Sequence, residues 1–143
     1  MTLAFPPGRH GRATVKTILV IDDDEAVLRS YGLLLGRLGH RVLLAGDGEK
    51  ARRDPDSLRG VDLLILDERM PGTTGLDLLA AMRSRWGAAG AAPAPPLAVL
   101  LVSALLSDDL KRRAAGLGVA EVIEKPVNPA RLLASVRAAL GEG

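Results

Sequence analysis

The chain has 143 residues, 48% hydrophobic and 25% charged, the balance of one ordinary folded domain. It has no cysteine, which excludes disulfide scaffolds, cysteine-bound zinc, iron–sulfur clusters and thiol catalysis. Phe5, Tyr31 and Trp86 are its only aromatics, too few to stack single-stranded bases, and the net charge of +2 owes much to Arg9, Arg12 and Lys16. Nucleic acid is therefore not an expected partner. No apolar run approaches the ~20 residues that span a membrane, and no signal peptide opens the chain. A cytoplasmic protein without membrane association is expected.

Residues 1–16 are rich in proline, glycine and basic side chains and lack an apolar period, so a flexible leader is expected there and a single domain over 17–143. Five short apolar runs follow: Ile18–Ile21, Val42–Ala45, Val61–Leu66, Leu97–Val102 and Val119–Ile123. Most are nearly continuous in hydrophobicity, which suits strands covered on both faces. Helical spacing separates them. Val27, Tyr31, Leu34, Leu35 and Leu38 form one apolar stripe, stopped at Gly39. The second helix, within 47–58, has few apolar positions and contains Pro55, so it is expected to be short or irregular. A third helix runs from about Thr74 to about Trp86 and a fourth begins at Ser107. Asn128 and Pro129 open a fifth. The low-complexity segment Gly87–Pro96 is expected to be a surface loop. Five strand–helix units predict an α/β domain built on a doubly wound, five-stranded parallel sheet, with ligands bound beyond the carboxyl ends of the strands.

Those ends carry polar residues that apolar strands do not need. The first run ends in Asp22, Asp23, Asp24 and Glu25; the third ends in Asp67, the fourth in Ser103 and the fifth in Lys125-Pro126. Asp24 and Glu25 read as acids at a helix start. Two further acids exceed what one cap requires. Alone, Asp67, Ser103 or Lys125 would be an ordinary loop acid, strand-end hydroxyl or solvated charge; together they are more specific. Converging carboxylates repel one another, and a hard divalent cation such as Mg2+ removes that cost with oxygen ligands. A lysine and a hydroxyl opposite the ion complete a socket for a tetrahedral anion such as a phosphoryl group.

In ILVIDDDEAVLR (18–29), LLILDERMPGTTGLDLL (63–79), LLVSA (100–104) and GVAEVIEKPV (118–127) the chain resembles the receiver domain of two-component response regulators, of the chemotaxis type with a flavodoxin-like (βα)5 fold. The resemblance covers roughly residues 16–141. It implies that Asp67 accepts a phosphoryl group from a histidine kinase or phosphotransfer protein. Asp23 and Asp67 would hold Mg2+ directly, Asp22 through a bound water, and Arg69 through its backbone carbonyl. Ser103 would hydrogen-bond the phosphoryl group and Lys125 would pair with it, aimed by a cis bond before Pro126. Met70-Pro71 and Gly75 match the loop that returns the chain into the third helix. A downstream protein would read the switch on the face of helix four, strand five and helix five. With no DNA-binding or catalytic domain after Gly143 in this sequence, a stand-alone receiver that is not itself an enzyme is expected.

Two departures stand out. Val122 occupies the position, three before the lysine, at which the family commonly carries a reorienting aromatic, and Val127 replaces a second aromatic. These leave open the alternative of a degenerate receiver that docks proteins without phosphorylation. A dehalogenase-type phosphotransferase needs an aspartate where Arg69 stands, and a dinucleotide site needs a Gly-x-Gly-x-x-Gly turn that is missing after the first strand.

Overall fold

A computed structural model describes residues 2–5, 14–89 and 97–142. In chain order the elements are β1 (Thr2–Phe5), β2 (Thr17–Ile21), α1 (Glu25–Gly36), β3 (Arg41–Ala45) and α2 (Glu49–Arg53). A 3-10 turn (Pro55–Leu58), β4 (Leu63–Asp67) and a two-stranded hairpin, β5 (Arg69–Met70) and β6 (Thr73–Thr74), follow. The chain then forms α3 (Gly75–Ala89), β7 (Ala98–Ser103), α4 (Asp108–Gly116), β8 (Glu121–Glu124) and α5 (Pro129–Ala139).

The main sheet has the order β1-β3-β2-β4-β7-β8. Strands β3, β2, β4, β7 and β8 run parallel, as the doubly wound reading requires. Alternation along the strands splits the core in two. Ile18, Val20, Leu63 and Ile65 face α1 and α5, where they meet Leu28, Leu35, Leu132 and Val136. Leu19, Ile21, Leu64 and Leu66 face the opposite layer, against Leu58, Leu79 and Met82. All five residues of β4 are buried, which explains why its sequence reads as an unbroken apolar run closed by one acid.

Helix starts follow the expected capping. Asp24 accepts from the Ala26 and Val27 amides, Ser107 from Leu110 and Asn128 from Arg131. The second helix is five residues long before the 3-10 turn, short as expected.

Two expectations are corrected. The leader is not without structure: Thr2–Phe5 form β1, a sixth strand antiparallel to β3. Strand β3 would otherwise be an open edge, and the Phe5 ring packs over Gly32 of α1, where an added Cβ would lie 2.7 Å from it. Residues 6–13 lie outside the described residues. Second, α3 continues through Gly87–Ala89, because the alanines that read as low complexity also favour helix. The rest of the predicted loop, 90–96, lies outside the described residues.

At the amino edge of the sheet, fully buried His40 joins the two ends of the domain. Its Nδ1 accepts from the Lys16 amide at 3.0 Å, and its Nε2 lies 3.3 Å from the Glu142 carboxylate. The committed Nδ1 acceptor fixes the tautomer, so Nε2–H donates to Glu142.

Candidate functional site

The site forms at the opposite, carboxyl edge, where β2 and β4 lie side by side and the chain winds away from them in both directions. Ile21 is in register with Leu66, which brings the next residues, Asp22 and Asp67, to the same level. One carboxylate oxygen each from Asp22, Asp23 and Asp67 lies within 4.8 Å of the others. Asp22 and Asp67 are buried and Asp23 is exposed. On the other side of Asp67, β7 pairs with β8, and the Lys125 amide donates to the Ser103 carbonyl at 2.9 Å. This carries the Lys125 Nζ to 2.7 Å from the Asp67 Oδ1. The Lys125–Pro126 peptide bond is cis, as the resemblance implied.

Ser103 is buried beside this pair, with its hydroxyl turned along the backbone. Its Oγ donates to the Leu105 carbonyl at 2.8 Å and accepts from the Leu105 amide at 3.3 Å. Arg69 opens the β5–β6 hairpin, in register with Thr74, and its side chain is exposed. Asp67, Arg69, Ser103, Leu105, Leu110 and Lys125 line one cleft of about 610 Å3. The sequence-predicted residues therefore gather in one place, with the Ser103 hydroxyl engaged elsewhere.

The end of β4 is tied to α3 by residues that spacing does not single out. The Glu68 amide donates to the Val102 carbonyl at 2.8 Å, and the Glu68 carbonyl accepts from the Gly75 amide at 2.9 Å. The Glu68 carboxylate accepts from the Leu76 amide, also at 2.9 Å. Nothing in the sequence beyond an acid ahead of a helix could have pointed to this, because the contact depends on the intervening hairpin.

Three carboxylates and one lysine leave the site with excess negative charge. Burial pushes the Asp22 carboxyl above its ordinary range, and the charges of Asp67 and Asp23 push the same way, against the Asp24 amide and Lys125. Burial, with the charges of Asp22 and Asp67, also raises the Tyr31 phenol. A folded-state pKa above the unfolded one makes Asp22 stabilising only where it is protonated, and that contribution is lost as pH rises through the raised value. In metal-free buffer, Asp22→Asn is therefore expected to raise the thermal midpoint at neutral pH, and its advantage to shrink as pH falls into the Asp22 titration range. Calorimetry across that range checks this; a lower midpoint for the variant at neutral pH would contradict it.

The donor set, all hard carboxylate oxygens with partial burial and close approach, fits a divalent cation of the magnesium type. Among the described residues no helix is long and apolar enough to cross a membrane.

Fold and site together define a doubly wound α/β domain in which two further acids and a lysine surround one strand-end aspartate. The chain belongs to the response regulator receiver domain family, which matches residues 18–137. It is 33% identical over 129 residues to the response regulator GtcR of Aneurinibacillus migulanus, covering 87% of this chain and 48% of that protein. It is 36% identical over 126 residues to the transcriptional regulatory protein FixJ of Azorhizobium caulinodans, covering 85% and 54%. The chain thus spans about half the length of these relatives. A CheY-like receiver from Methanospirillum hungatei superposes with a TM-score of 0.70 at 26% identity, covering 90% of this chain and 95% of that one. A receiver from Clostridium thermocellum gives 0.73 at 26% identity, covering 89% and 95%. Family membership sets aside the dehalogenase and dinucleotide readings. Val122 and Val127, at the family's aromatic positions, each pack against the core, on opposite layers.

Proposed function

We propose that this receiver is a phosphorylation-dependent switch in which Asp67 takes the phosphoryl group from a phosphohistidine of a histidine kinase or phosphotransfer protein. The observation that carries the reading is the Asp67 carboxylate itself, 5% exposed, with Lys125 at 2.7 Å on one side and Asp22 and Asp23 on the other. In the transfer an Asp67 oxygen forms a bond to phosphorus, the phosphorus–nitrogen bond breaks, and the imidazole leaves with the electron pair.

Asp23 and Asp67 would hold Mg2+ directly and Arg69 would contribute its carbonyl. Asp22 already accepts from the Asp24 amide at 2.9 Å, which suits a contact through water. The ion supplies neutralising charge as two anions approach. Lys125 shifts from Asp67 to a phosphoryl oxygen, and the Ser103 hydroxyl turns from Leu105 to another. Releasing Leu105 loosens the junction of β7 and α4, so that the face of α4, β8 and α5 changes for a downstream protein. The protein acts as a phosphoacceptor and not as an enzyme with a turnover substrate, and the cytoplasm is its expected compartment.

The test is incubation with Mg2+ and acetyl phosphate, read by intact mass, with beryllofluoride binding as a second probe. Wild type is expected to gain one phosphoryl group and to bind the mimic, and Asp67→Asn to do neither. A wild type inert to both would favour the docking-module reading, for which Val122 is the motivating departure.

A further inference from the structure

Glu68 stands immediately after Asp67, yet its carboxylate is absent from the acidic trio. It is spent on α3, where it accepts the Leu76 amide at 2.9 Å while its own carbonyl accepts the Gly75 amide at the same distance. One residue thus satisfies two of the amides that a helix start leaves without partners. The third, at Asp77, goes to the Thr74 hydroxyl at 3.1 Å. The Glu68 amide is fixed in turn on β7, through the Val102 carbonyl at 2.8 Å. Glu68 is therefore held at its amide, its carbonyl and its carboxylate, and it closes the whole 68–76 excursion, hairpin included, onto the end of β4.

We infer that Glu68 is a positioning residue for the acidic site: by clamping α3 to the strand end it fixes Asp67 relative to the Arg69 carbonyl, and so sets the affinity for the divalent cation. The inference rests on the reading of Asp67 and Arg69 as cation ligands. Its physical basis is that Glu68 is the single residue between them, so any freedom in its backbone becomes freedom in the distance between two ligands. Affinity for a small, rigidly coordinated ion falls when that distance is not preset. What Glu68 must supply is a hydrogen-bond acceptor of the right reach. Its negative charge is secondary.

Charge and reach are separable. Glu68→Gln keeps an acceptor at the same length and removes the charge; Glu68→Asp keeps the charge and shortens the side chain beyond reach of Leu76. Thr74→Ala removes the other side-chain acceptor at the start of the same helix without touching Glu68. Mg2+ alone is titrated into each full-length protein, read by the NMR amide shifts of Asp23 and Asp67, with thermal unfolding in parallel. Glu68→Asp is expected to weaken Mg2+ binding about tenfold, the low end for removal of a group that orients a metal ligand. Glu68→Gln and Thr74→Ala are expected to stay within about twofold of wild type. Glu68→Asp binding as tightly as wild type would overturn the inference. So would Glu68→Gln weakened as much as Glu68→Asp, which would show that an acceptor of the right reach does not suffice without the charge, or an equal loss in Thr74→Ala, which would make helix stability the cause. A wild type without saturable Mg2+ binding would instead overturn the reading of the site, separately from the role of Glu68.

Discussion

Replacing Gly75 with alanine is expected to destabilise the domain and to cut the phosphorylation rate of Asp67 about 100-fold, the loss that a misplacement of ~1 Å can cause. Helix propensity alone predicts the reverse, since alanine in place of glycine favours a helix by ~1 kcal/mol. Sterics decide the sign. A Cβ on Gly75 would lie 2.6 Å from the Asp67 carbonyl oxygen, 3.2 Å from its carbon and 3.0 Å from a Leu101 methyl. The methyl can rotate away. The Asp67 carbonyl belongs to the end of β4 and can move only by moving Asp67. Overpacking of this kind costs roughly 1–3 kcal/mol, enough to cancel or exceed the propensity gain. Chemical denaturation gives the stability and acetyl phosphate kinetics the rate. A stabilised Gly75→Ala protein with wild-type kinetics would show that the strand end tolerates the displacement.

Replacing Lys125 with methionine keeps most of the side-chain volume and removes the cation facing the acidic trio. Loss of one partner of a buried ion pair costs roughly 3–5 kcal/mol. Lys125 is 36% exposed, so solvent screening reduces the expected loss to about 1–3 kcal/mol in metal-free buffer. The Lys125 charge also opposes the upward shift of Asp22, so its removal pushes that carboxyl higher still. Mg2+ is then expected to stabilise the variant more than it stabilises wild type, because the ion takes over neutralisation that lysine had shared. Beryllofluoride should still bind, more weakly, while the amide shifts it induces on α4 and β8 should be largely lost. Full wild-type shifts on that face would remove Lys125 from the switch.

Much of this was legible in the sequence, for identifiable reasons. β2, β4 and β7 are enclosed on both faces, so their apolar runs are continuous and the first polar residue marks the carboxyl edge: Asp22, Asp67 and, with β7, Ser103. In a parallel sheet those ends coincide, and the side-by-side register of Asp22 and Asp67 follows. The four residues of β1 were not legible, because Thr-Leu-Ala-Phe beside a proline-rich stretch carries too short a period to mark a strand. The orientation of the Ser103 hydroxyl was hidden as well, being a local choice between the Leu105 backbone and the cleft. The role of Glu68 is not legible either, because its partner lies eight residues away across a hairpin. Hydrophobic pattern records burial. It does not record which acceptor closes a loop.

The two borders of the sheet are guarded by different means. At one, β8 is only four residues long and carries Glu121 and Glu124 at its ends, with Glu121 paired to Arg131 and Ser135 of α5. A short, charged strand of this kind is a poor template for another chain. At the other, Val42, Leu43 and Leu44 make β3 an apolar strand with no charge after Arg41, and among the described residues its outer backbone groups are covered by β1. Resistance to edge-to-edge association on that side is thus delegated to residues 2–5, a few backbone hydrogen bonds and one phenylalanine ring seated on Gly32.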